Sequence, residues 1–190
     1  MKVMLVSEKS RLYLSFIVLG VLFFTAGFLV GQNQASKIPP AVETGYRIQV
    51  LNDRDYYPVL LKTLSKANKS IHIAMFLFKS DTDVVEKIVE LLITKSRQGV
   101  DVKVVLEDSQ DVNELTYRRL LDGGVSVKFD SRALTTHSKI IIVDGKIVIV
   151  GSHNFTFSAM ERNHEASVMI ISQGVAEIEE EYFQKIWSGS

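Results

Sequence analysis

The stretch HSKIIIVDGKIVIVGSHNFT, residues 137–156, decides how the rest of the chain is read. Two β-branched runs, Ile140–Val143 and Ile147–Val150, flank Asp144-Gly145, and an Asp-Gly pair between apolar runs predicts a tight hairpin. Residues two apart on a strand share a face, so His137 projects with Lys139, and Ser152 with Asn154. If the hairpin closes as written, an imidazole, an ammonium, a hydroxyl and a carboxamide meet at one end of a sheet. That set suits a phosphodiester. Its oxygens need positioned donors before a nucleophile can approach the phosphorus in line with the leaving oxygen. Lys139 supplies charge, Ser152 and Asn154 supply directed hydrogen bonds, and an uncharged His137 can attack to give a phosphohistidine.

The order His137-x-Lys139-x4-Asp144-x6-Gly151-Ser152-x-Asn154 resembles the signature of the phospholipase D superfamily, which includes phospholipases, cardiolipin synthases, mitochondrial cardiolipin hydrolases and small endonucleases. The resemblance extends through Glu165 and, more loosely, over residues 46–190. It implies that His137 is the nucleophile, that Lys139 and Asn154 clamp the phosphate, and that Ser152 adds a hydrogen bond. Glu165, in Asn163-His164-Glu165, corresponds to an acidic residue that holds the histidine ring nitrogen opposite the attacking one. The resemblance also implies a reaction without metal or other cofactor. Asp144 belongs to the motif, yet an Asp before Gly is favoured in a turn on backbone grounds alone. Both the catalytic and the structural reading stand for it at this point.

Large members of the superfamily carry the motif twice, the second histidine protonating the leaving group. This sequence carries one copy and no internal repeat. The resemblance therefore implies a homodimer in which His137 of each subunit meets its counterpart across a two-fold axis.

Away from the motif, residues 1–11 form a short basic tail and Leu12–Val30 runs without a charge. Nineteen residues at about 1.5 Å each span a hydrocarbon core of about 30 Å. Lys2, Lys9 and Arg11 precede this run, which places the N-terminus in the cytoplasm and the remainder across the membrane. The run exceeds a signal-peptide core and Gln32–Ala35 is a poor cleavage site, so a retained single-pass anchor is expected rather than a cleaved leader. Residues 31–45, with Pro39-Pro40, read as a linker.

Residues 46–190 are expected to form one α/β domain. Strands are expected at Tyr46–Leu51, Ser70–Phe78, Val102–Leu106, Val125–Phe129 and Ala166–Ile171, in addition to the hairpin. Helices are expected at Tyr56–Ala67, Val84–Arg97, Val112–Leu121 and Val175–Trp187. This alternation predicts a sandwich with a mixed, mostly parallel sheet between helices.

Charge narrows the substrate. Residues 46–190 contain 18 basic and 20 acidic side chains, and tight binding of a long nucleic acid usually needs a basic stripe. A phospholipid substrate is therefore favoured over nucleic acid, which stays as the alternative; a scaffold without activity fits poorly with a complete motif. There is no cysteine and no His-x3-His spacing, so a structural zinc is not expected. His153 should point away from Ser152 and Asn154, and Arg132–Thr136 should line the mouth of the site.

Overall fold

The structure, a computed structural model, describes residues 45–190. The apolar run at 12–30, the basic tail and nearly all of the linker lie outside the described residues. Among the described residues no helix is long and apolar enough to cross a membrane.

Seven strands form one sheet: β1 (Arg47–Asn52), β2 (Ser70–Met75), β3 (Asp101–Leu106), β4 (Ser126–Phe129), β5 (Lys139–Val143), β6 (Ile147–Gly151) and β7 (Ala166–Ile171). Their spatial order is β1-β7-β6-β5-β2-β3-β4. Five α-helices join them: α1 (Tyr56–Ser65), α2 (Asp83–Arg97), α3 (Glu114–Asp122), α4 (Phe157–Glu161) and α5 (Gln173–Gly189).

The sheet is mixed, but the expectation that it is mostly parallel is corrected. Only β2–β3 and β3–β4 run parallel; β1–β7, β7–β6, β6–β5 and β5–β2 are antiparallel. In the parallel pairs α2 and α3 make the crossovers from one strand to the next. The hairpin forces the antiparallel β5–β6 pair, β7 and β1 add two more along its far side, and β5 itself runs antiparallel to β2.

Asp144 and Gly145 both have positive φ, 56° and 61°, and the Lys146 N–H donates to the Val143 carbonyl at 3.1 Å. This is a type I′ turn, whose twist matches the strands it joins. The turn carries His137 and Lys139 at one end of β5, and Ser152 and Asn154 follow β6 at the same end.

On one face of the sheet lie α1–α4. Leu60 and Leu64 of α1, Val85, Ile88 and Leu92 of α2 and Leu120 of α3 pack against Ile71, Ile73, Val104, Ile141 and Ile149. The α2 stripe has the 3.6-residue spacing that the sequence predicts. On the other face α5 places Ala176 and Phe183 over Ala74, Val105, Ile140, Ile142 and Val148. The result is three layers, with the sheet in the middle.

Two expectations shift. β2 ends at Met75 rather than Phe78, because Phe76–Lys79 leave β3 and cross toward the end of β6: the Phe155 N–H donates to the Leu77 carbonyl at 2.9 Å and the Lys79 N–H to that of Phe155 at 2.8 Å. The third helix starts later than expected, after a 3-10 turn at Asp111–Asn113. The short helix α4 has little periodic signal; Thr156 caps it, accepting from the Ala159 N–H.

Gly151 is required where β6 meets β7. A Cβ there would lie 2.2 Å from the Ser167 hydroxyl and 2.4 Å from the Ala166 carbonyl. Gly151→Ala must push the strands apart next to Ser152, so a loss of about 3 kcal/mol is expected in a urea titration, together with loss of activity.

Candidate active site

The end of the sheet at the start of β5 and the end of β6 gathers most of the expected residues. His137 is exposed, whereas Thr136 before it and Lys139 after it are buried. The Lys139 ammonium donates to the His137 carbonyl at 2.7 Å and lies 3.4 Å from each ring nitrogen of His137. Burial holds the Lys139 amine below its ordinary value, and the nearby Glu165 carboxylate partly offsets this. A lysine so desolvated can replace its missing hydration with a substrate anion.

Asn154 stands across from this pair. Its Oδ1 accepts the Leu77 N–H at 3.2 Å, which fixes the carboxamide and leaves its NH2 group to donate to a ligand. Ser152 donates its hydroxyl to Glu165 and accepts the Ala166 N–H at 3.0 Å. Glu165 accepts a second bond from the Asn163 side chain at 3.0 Å. Its carboxylate therefore engages Ser152 and Asn163 within its own chain, and the expected bond to the His137 ring is not made there.

Asp144 is not part of this group. It sits at the opposite end of β5, five residues or roughly 17 Å away at strand spacing. Its carboxylate accepts the N–H groups of Asn68, Lys69 and Ser70 at 3.1, 2.7 and 3.1 Å, so it ties the hairpin to the start of β2. The catalytic candidacy of Asp144 is corrected on these grounds. Asp144→Ala is expected to destabilise by about 2 kcal/mol in urea, since three N–H groups lose their acceptor, with turnover per folded molecule unchanged.

His153 faces the interior as expected. It is fully buried, stacks on Tyr56 at 4.0 Å and contacts the Ser167 hydroxyl at 2.8 Å. Burial, its largest influence, lowers its pKa, which suits an uncharged structural histidine. Asp53, at positive φ, accepts the Glu165 N–H at 2.8 Å and lies 3.0 Å from the His164 ring, and the Glu165 bond is the main cause holding its carboxyl low. Asp53 thereby sets the entry of the chain into β7.

Several supporting residues have no sequence signal. Phe76 packs its ring on His137 at 4.4 Å, and the Lys139 ammonium lies over the same ring at 4.9 Å. Glu107 and Asp130, both buried, converge on the Thr136 N–H at 2.5 and 3.0 Å. The loop that delivers the histidine is thus held at its root. The fully buried Asn113 donates to the Phe76 and Glu107 carbonyls at 2.9 Å each and accepts the Phe78 N–H at 2.7 Å, joining the two supports. Glu107, Asp108, Arg132, Leu134 and Thr135 line a cleft beside the loop, whose lining includes neither His137 nor Lys139. Among the described residues no group of three or more His, Cys, Asp or Glu is arranged to hold a metal ion.

The family profile described as "Cardiolipin synthase, PLD-like domain" matches residues 60–187. The chain belongs to the phospholipase D superfamily. Within that superfamily it is 29% identical over 174 residues to a mitochondrial cardiolipin hydrolase of Canis lupus familiaris, covering 88% of this chain and 65% of that protein. It is 32% identical over 119 residues to a phospholipase D of Rickettsia typhi, covering 62% of this chain and 56% of that one. The chain thus spans just under two thirds, or less, of the length of these relatives. Among solved structures it resembles Nuc, a phospholipase D family member from Salmonella typhimurium, at 26% identity and a TM-score of 0.68, covering 76% of this chain and 96% of Nuc. The superfamily motif falls on the His137, Lys139, Ser152 and Asn154 cluster, with Gly151 explained by the strand contact behind it.

Proposed function

We propose that this chain is a membrane-anchored phosphodiesterase of phospholipase D type that works through a phosphohistidine on His137 and needs no metal. The single observation carrying this reading is the placement of an exposed imidazole against a desolvated ammonium, at the end of the sheet where a pre-oriented carboxamide also lies. A phosphate seated there has one oxygen neutralised by the Lys139 ammonium and another hydrogen-bonded by the Asn154 carboxamide. One His137 nitrogen attacks the phosphorus, the P–O bond to the leaving group breaks, and the departing oxygen takes a proton. Water then attacks the phosphorus and gives up a proton, and a P–O bond forms as the P–N bond breaks, which frees His137.

The proton donor comes from a second copy. Among the described residues His137 is the only histidine of the cluster, and one imidazole cannot hold the phosphoryl group and protonate the leaving oxygen together. A homodimer with the site on its two-fold axis supplies the second imidazole, and Glu165 of the partner subunit supplies the carboxylate that His137 lacks in its own chain. An apolar strip supports this assembly. On the α5 face of the sheet, Tyr46 just before β1 and Ile48 and Val50 of β1 are more than half exposed, beside half-buried Val168 and Ile170 of β7. No described element covers them, and the strip runs toward Ser152 and Glu165.

Phospholipid is the substrate class favoured by the hydrolase and phospholipase relatives, by the apolar run at 12–30 and by the near-neutral charge of the domain. Nucleic acid is the second reading, favoured by the likeness to Nuc over almost all of that chain's length. The test incubates the full chain in detergent and EDTA with phospholipid in one tube and with single-stranded DNA or RNA in others. Release of phosphatidic acid by the native chain and not by His137→Asn is the expected result. Cleavage of nucleic acid alone selects the second reading, and loss of all activity in EDTA refutes the metal-free mechanism.

A further inference from the structure

The chain enters β1 at Gly45–Arg47, the end of the sheet opposite His137. Around that entry Arg47, Lys69 and Lys146 line one cleft, together with Gly45, Gly145 and Gln173. All three cationic side chains are exposed, and among the described residues none of them forms a salt bridge with a carboxylate. Lys66, just past the end of α1, adds a fourth exposed charge. Of the acids at this end, Asp144 lines the same cleft but accepts three backbone N–H groups, Asp101 pairs with Lys103 and His72, and Glu180 with His72. Glu177, which accepts from Gln173, and Glu181 stand exposed on a neighbouring cleft that shares Gly145.

The catalytic end differs. There Lys79 pairs with Asp81, Arg132 with Asp108, and Arg54 lies 3.8 Å from Asp53. At the end where the polypeptide arrives, Arg47, Lys69 and Lys146 thus have no carboxylate partner among the described residues.

We infer that this basic end is a docking surface for an anionic membrane, and that seating it there turns the active site away from the bilayer that anchors the chain. The inference rests on the anchoring part of the proposed function. Residues 31–45 separate the apolar run from β1, a reach of about 50 Å fully stretched and roughly 20 Å relaxed. Arg47, Lys69 and Lys146 are therefore held within easy reach of the headgroup layer. Clustered cations next to a membrane segment are attracted to anionic headgroups, and the attraction fades within a Debye length as salt rises. The six residues of β1 set the catalytic end roughly 17–20 Å above such a seat. His137 then opens to the aqueous phase, and lipids of the anchoring bilayer are reached only when the domain leaves its seat.

The test uses the full chain, which has no cysteine, carrying one fluorophore at Gln173→Cys or at Ala133→Cys. Each is reconstituted in phosphatidylcholine vesicles, with or without phosphatidylglycerol, that contain a headgroup-attached quencher. The Gln173 probe is expected to be quenched several-fold more than the Ala133 probe when phosphatidylglycerol is present. The difference should shrink in high salt and in the R47E/K69E/K146E chain, which should still hydrolyse bis(p-nitrophenyl) phosphate. The native salt and lipid series stands as evidence even if that variant does not fold. Equal quenching of the two probes, stronger quenching at Ala133, or indifference to phosphatidylglycerol and salt overturns the seat. A chain that does not float with the vesicles overturns the anchor. Hydrolysis of the soluble diester is read separately, so failure of the chemistry and failure of the seat are distinguishable.

Discussion

His137→Asn is expected to lower turnover of any phosphodiester substrate by at least about 10⁴-fold, the size of effect seen when an enzyme loses its nucleophile. The fold should not notice. The His137 side chain is exposed, its ring partners are Phe76 and the Lys139 ammonium, and its backbone is held through the buried Thr136 N–H. Urea midpoint and sedimentation of the variant should match the native chain. Retained turnover would remove His137 as nucleophile, whereas a parallel loss of folded protein would make the result a structural one. Mixing this variant with Lys139→Ala chains need not restore activity, because each half-reaction draws on both copies.

Lys139→Met should separate function from stability most clearly. Turnover is expected to fall about 10³-fold, since the site loses the charge that neutralises the phosphate as it reacts. Stability at neutral pH should rise by about 1 kcal/mol, because a buried ammonium is replaced by an apolar chain of similar length. The sign follows from the titration. Burial sets the folded pKa of Lys139 below its ordinary 10.5, so between the two values the unfolded chain binds more protons. Native stability should therefore climb with pH in that window, from this group, and the cost of the buried charge is felt in full below it. Urea titrations at neutral and alkaline pH check this, and the Met variant should lack the climb. A variant that loses stability at neutral pH would show that the 2.7 Å bond to the His137 carbonyl outweighs the burial.

The site was more legible than the sheet, for physical reasons. The hairpin is local: Asp144-Gly145 between two apolar runs favours the left-handed backbone of a tight turn, and the two-residue spacing of His137 with Lys139 and of Ser152 with Asn154 follows from the strand pleat. The stripe Val85, Ile88, Leu92 is equally local. Strand direction is not. β1 pairs with β7 across 124 residues in the register Arg47 to Ile171, and no feature of either segment announces that partner. The same holds for the supports of His137. Glu107, Asn113 and Asp130 look like ordinary polar residues of a strand end, a turn and a loop, and only the tertiary fold brings them under Thr136 and Phe76. Asp144 shows the opposite case, in which a residue of the motif serves the turn and the anchoring of β2 at the end of the sheet remote from the chemistry. The sequence pattern places Phe76 inside an apolar strand, and its position under both His137 and Lys139 depends on β2 ending at Met75, just before it.

The covalent intermediate tests the account most directly. The full chain is mixed with a phosphodiester labelled in its phosphoryl group, quenched within a turnover in alkali, digested and read by mass spectrometry. An acid-labile, alkali-stable phosphoryl group on the peptide bearing His137 is the predicted result, present in EDTA and absent from His137→Asn. A burst of product with no label on His137, or label on Ser152 instead, would contradict the nucleophile and with it the mechanism built on this site.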